Sequence, residues 1–149
     1  VWEADHLGGH RFAPTAVVLP TGYVYGRLDA RSALAALDAA ARGSVVTEHS
    51  RGRSTWSRPG QAADLALRDE LQEFGADAVR VVGEHRLDDG HWQVDLTADQ
   101  VSYRALVEQS VAEEPRPESC GKAPGTPLRL RVLSLEKLSL DKLSLEKQD

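Results

Sequence analysis

The strongest constraint on the fold is the punctuation between residues 14 and 43. Ala16-Val17-Val18-Leu19 and Tyr23-Val24-Tyr25-Gly26-Arg27-Leu28 flank Pro20-Thr21-Gly22. Two short strands around a turn are the expected outcome. Asp29 is a good helix N-cap, because its carboxylate accepts from the first free backbone N–H groups. The alanine-rich run from Ala30 to Arg42 then reads as a helix stopped by Gly43, a residue that enters the left-handed region without strain. Leu34 and Leu37 supply a thin apolar stripe, expected to lie flat on a sheet.

Residues 44–60 read as an irregular connector carrying Arg51, Arg53, Arg58, Trp56 and His49. It is either a solvated crossing or an electropositive docking patch, since Arg and Trp are enriched at binding hot spots. A second helix is expected from Gln61 to Phe74, with Ala62, Ala63, Leu65, Ala66, Leu67 and Leu71 on its apolar face and Gly75 at its end. Three strands follow, at Ala78–His85, His91–Leu96 and Val101–Glu108. Asp88-Asp89-Gly90 joins the first two. Trp92, Val94 and Leu96 alternate onto one face, as do Tyr103, Ala105 and Val107. A three-stranded antiparallel sheet covered on one side by the helix is the result.

The end of the chain differs in kind. Leu133-Ser134-Leu135-Glu136-Lys137 recurs as Leu138–Lys142 and Leu143–Lys147. A five-residue period matches neither helix nor strand, so residues 113–149 read as a Pro-rich, low-complexity and largely disordered tail. A helix formed on a partner is the alternative.

Composition removes several function classes. The 149 residues are 41% hydrophobic and 28% charged, ordinary for a globular chain. A net charge of −5 gives no basic footprint for nucleic acid. No apolar run reaches the length of a membrane span. One cysteine, Cys120, rules out an intrachain disulfide and fits a reducing cytoplasm. There is no GxSxG elbow, HExxH helix, phosphate-binding Walker loop or dinucleotide fingerprint. His85 and His91 flank a hairpin without making a ligand set.

The remaining chemical signal is His6-Leu7-Gly8-Gly9-His10. Imidazole binds zinc, copper, iron and nickel. Two adjacent glycines cost a helix about 2 kcal/mol relative to alanine, so a loop wrapped round a ligand is expected rather than a helix face. The pair reads either as two ordinary loop histidines or as part of a metal site. A mononuclear site built on His6 and His10, shared between two chains, is a further option.

Trp2-Glu3, HLGGHRFAPT from His6, VVLPTGYVYGRLD from Val17, the alanine-rich helix, EHSRGRS from Glu48 and RPESCGKAP from Arg116 together resemble the sucrase/ferredoxin-like family. The resemblance runs from about Val1 to Pro124. It implies that residues 1–43 form the C-terminal half of a thioredoxin-like [2Fe-2S] ferredoxin; with the small α+β subdomain read from the patterning of 61–112, the fold class is α+β. It implies that His6 and His10 replace two of the usual cysteine ligands. Two imidazoles on one iron raise a cluster's potential and couple electrons to protons. The function implied is electron transfer to a redox partner protein, without a hydrolase site. The sequence departs from the family in lacking the cysteine loop that supplies the other two ligands. The expectation is therefore either a portion of an electron carrier that binds no cluster by itself, or a truncated remnant or interaction module without one. Self-association through the open sheet edge follows from the first reading.

Overall fold

The computed structural model describes residues 10–88, 90–111, 115–117 and 123–139. The structure is mixed α and β, with two helices and two main antiparallel sheets. After a 3-10 turn at His10–Phe12, β1 (Thr15–Val18) and β2 (Tyr23–Gly26) form the expected hairpin. Gly22, at φ +76°, donates its N–H to Val18 O at 2.8 Å to close the turn.

α1 (Ala30–Ala41) begins where the sequence places it. The Asp29 carboxylate accepts from Ser32 N–H at 2.7 Å, and Ser32 Oγ accepts from Asp29 N–H at 2.9 Å, a reciprocal cap. Gly43, at φ +71°, follows the C-cap Arg42. The buried stripe, however, is Ala36 and Ala39, whereas Leu34 is 62% and Leu37 48% exposed. Small side chains let the helix approach its neighbours closely, and the leucines project away.

The connector contains a strand. β3 (Ser50–Arg53) pairs antiparallel with β2, giving the order β1-β2-β3. Gly52, at φ +84°, lies so close to the next helix that a Cβ there would stand 2.6 Å from Gln61 Cβ.

α2 (Arg58–Leu71) starts three residues earlier than the expected Gln61. Ser57 is the N-cap and Pro59 occupies the first turn, where its missing N–H costs nothing. The helix ends before Phe74, because Gln72 takes a left-handed conformation at φ 52°. The Arg68 guanidinium explains the early stop. It donates to Glu73 O, Gly75 O and Ala76 O at 3.2, 2.8 and 3.1 Å, holding the chain folded back across it.

The second sheet is four-stranded rather than three-stranded, in the order β4-β5-β6-β9. β4 (Val79–Arg86), β5 (His91–Ala98) and β6 (Val101–Val111) form the expected meander. Val94, Leu96, Ala105 and Val107 are wholly buried, with Ala63 and Leu67 of α2 in the same cluster. Trp92 and Tyr103 pack against that cluster, so the alternation assigns both faces correctly. A two-residue pair, β7 (Arg116–Pro117) with β8 (Pro124–Gly125), precedes the last strand.

β9 (Leu128–Lys137) corrects the reading of the tail. It pairs with β6 from Val111↔Leu128 to Tyr103↔Lys137, so the first leucine repeat is sheet. The register shifts between the Leu106↔Ser134 and Val107↔Val132 pairs, leaving Leu133 as an extra residue. Such a bulge resets the alternation. Leu130, Val132 and Leu135 therefore all reach the core despite unequal spacing. Leu138 is 9% exposed and donates its N–H to Ser102 O. Residues 140–149, which hold the rest of the repeats, lie outside the described residues.

Candidate functional site

His6 and Cys120 lie outside the described residues. His10 opens the turn that leads into β1. That turn is anchored to the hairpin: Arg27 N–H donates to Phe12 O at 2.6 Å, and Leu28 N–H to Pro14 O at 3.2 Å. Gly26 makes room for it, since a Cβ there would meet Phe12 Cβ at 3.0 Å and Phe12 O at 3.1 Å. The turn from His10 to Phe12 thus lies beside the end of β2. Among the described residues, no group of three or more His, Cys, Asp or Glu side chains is placed to hold a metal ion.

Beside that turn the structure gathers cations. Arg51 Cζ sits 3.5 Å from the centroid of the Phe12 ring, Arg11 4.7 Å and Arg27 5.7 Å. The ring faces offset some of the mutual repulsion. Arg11, Arg51 of β3, Arg58 of α2 and Arg129 of β9 line an open cleft of about 360 Å³, together with Ser50 and Gln61. Its apolar wall comes from Ala62 and Leu65 on α2 and Leu128 and Leu130 on β9. Burial, followed by the charges of Arg11, Arg58 and Arg27, pushes the Arg51 pKa below its ordinary value. Among the described residues, no carboxylate forms an ion pair with Arg11, Arg51, Arg58 or Arg129. Arg11 Nη1 is a buried donor with no acceptor among them.

The arginines of the connector divide by role. Arg53 is neutralised, with Nη2 2.6 Å from Asp77 Oδ1 and Nε donating to Thr21 O at 2.7 Å. Its guanidinium lies 5.5 Å from the Trp56 ring. Arg51 and Arg58 turn into the cleft. The electropositive patch read from residues 44–60 is therefore narrower than the connector and includes residues far from it. Arg11 and Arg129 are 118 positions apart, and only the β9 pairing brings the second into place. No local pattern in the sequence signals that convergence.

The other histidines stay apart from the cleft lining. His91 Nδ1 is 2.9 Å from Asp88 Oδ1, within the hairpin turn. His85 pairs with Gln93, and His91 with Glu108, so they do not oppose each other across the hairpin. His49 occupies the left-handed region at φ 62° just before β3, and its carbonyl accepts from Gly26 N–H.

Comparison of the chain with protein-family models, with curated proteins and with solved structures gives no match.

Proposed function

We propose that this chain is the histidine-bearing portion of a thioredoxin-like electron carrier, in which His6 and His10 are two ligands of a [2Fe-2S] cluster. The supporting observation is the uncovered flank of the unit that follows the histidine loop. Among the described residues, β1 has a strand partner only in β2. Leu19, Leu34 and Leu37 are 79%, 62% and 48% exposed in that same unit. An open strand edge and exposed leucines within one unit are surfaces that further polypeptide would cover.

The residues present do not by themselves fit the cluster. Such clusters take four protein ligands, and two histidines with the single Cys120 leave the set incomplete. On this reading two cysteine ligands come from polypeptide outside these 149 residues. The neighbouring arginines fit a redox role. Their positive charge favours the reduced, more negative form of any centre at the histidine loop and attracts an acidic partner protein.

Anaerobic reconstitution with iron and sulfide tests the proposal. The 149-residue chain is expected to stay colourless. The protein extended by the sequence encoded upstream of Val1 is expected to turn brown and to titrate as a one-electron couple. An extended protein that remains colourless would instead favour an interaction module without a cluster.

A further inference from the structure

We infer that the arginine cleft is a binding site for a small phosphate ester, with the phosphate held by Arg51, Arg58 and Arg129 and the organic group laid on the apolar wall.

Charge is the first argument. The chain is acidic overall, at −5, yet four guanidiniums line one cleft without a paired carboxylate among the described residues. Concentrating like charge in a partly buried place costs stability, and a dianion relieves that cost. Guanidinium forks match phosphate oxygens geometrically. Arg11 Nη1, buried without an acceptor among the described residues, adds to the local cost of that positive charge.

Shape is the second argument. A cleft of about 360 Å³ falls within the range of small-molecule pockets. A polyanion such as RNA would need a continuous basic track and would meet the acidic remainder of the chain. The wall of Ala62, Leu65 and Leu130 gives an organic substituent an apolar surface beside the charged rim. Structural placement is the third. The cleft lies where four separate elements meet, the turn before β1, β3, the start of α2 and the start of β9, so its arginines are held by the fold rather than by one flexible segment.

The inference does not depend on the cluster, and the 149-residue chain itself serves for the test. Calorimetric titration with phenyl phosphate, and separately with inorganic phosphate, is carried out at low ionic strength. One-to-one binding is expected, with phenyl phosphate at least threefold tighter. The exposed-residue substitutions Arg58→Gln and Arg129→Gln are each expected to weaken both ligands at least fivefold while near-ultraviolet circular dichroism stays unchanged. Absence of binding at millimolar ligand would overturn the inference, as would binding that neither substitution weakens. Equal affinity for the two probes would overturn the assignment to an organic ester.

Discussion

The hydroxyl of Tyr23 on β2 donates a 3.1 Å hydrogen bond to Oδ2 of Asp64 on α2, with both side chains wholly buried. Arg68, one turn along the helix, completes the contact by donating Nε to Asp64 Oδ1 at 2.9 Å. The other edge of its guanidinium holds the three carbonyls that follow α2. One face of α2 thus carries Ala63 and Leu67 to the four-stranded sheet, while Asp64 and Arg68 bind the three-stranded one. Burial pushes the Tyr23 hydroxyl pKa up, with the Asp64 charge adding to the effect and Arg68 opposing it. The tyrosine is a neutral donor throughout the ordinary pH range.

Tyr23→Phe is expected to cost about 1.5–3 kcal/mol, because a buried charged acceptor loses its donor. Arg68→Met is expected to cost more, about 3–5 kcal/mol, since it leaves the Asp64 carboxylate buried and unpaired. Urea unfolding of the two variants checks the order. The Asp64→Asn, Arg68→Met pair should recover part of the loss, as it removes the stranded charge.

Gly52→Ala is expected to destabilise by about 1–3 kcal/mol. The positive φ of +84° disfavours any side chain, and the new methyl would stand 2.6 Å from Gln61 Cβ and 3.0 Å from its Cα. Gly43→Ala shares the positive φ but has nothing within 4 Å, so its loss should be smaller. Thermal melts of the two variants separate backbone strain from steric conflict.

Deleting residues 133–149 is expected to lower the melting temperature by several degrees. It removes half of β9, and with it Leu135 from the core cluster and the buried Leu138. A fully buried leucine contributes about 1.5–3 kcal/mol, and the half-buried Leu135 part of that. Leu135→Ser should reproduce much of the loss, while Leu133→Ser, at the extra and 40% exposed position, should not.

Acid should remove two surface contributions. Hydrogen bonds from Ser32 hold the Asp29 carboxyl below its ordinary pKa, and the Arg53 hydrogen bond does the same for Asp77. A carboxylate with a depressed folded pKa stabilises above the unfolded pKa, and that stability is lost as pH falls through the folded one. The wild-type chain should therefore melt above the Asp29→Asn, Asp77→Asn variant near neutrality. The difference should shrink as pH falls below the ordinary aspartate range, at about 4. Melting curves through that fall in pH check the sign.

Local chemistry was legible where one signal decides one element. Asp29 and Gly43 bound α1 in the sequence as in the structure. Strict alternation at Trp92, Val94 and Leu96 assigned the inner face of β5. The readings that changed depend on partners distant in the chain. The leucine repeat hides a strand because the bulge at Leu133 breaks the two-residue period. Leu34 and Leu37 looked like the buried stripe of α1, but alanine's small size favoured close approach on the opposite side. The stop of α2 at Leu71 is instead local, with Gln72 left-handed and Arg68 bonded to the carbonyls of Glu73, Gly75 and Ala76, an arrangement that the apolar period through Phe74 does not signal. The arginine cleft needs β9 in place before Arg129 can meet Arg11.

The most direct test of the histidine assignment is pulsed electron paramagnetic resonance on the reduced, reconstituted protein that includes the sequence upstream of Val1. The account predicts hyperfine coupling from two imidazole nitrogens, with one coupling lost in His6→Cys and the other in His10→Cys, and a lower reduction potential in each variant. A cluster showing no nitrogen coupling, or couplings that survive both substitutions, would contradict it.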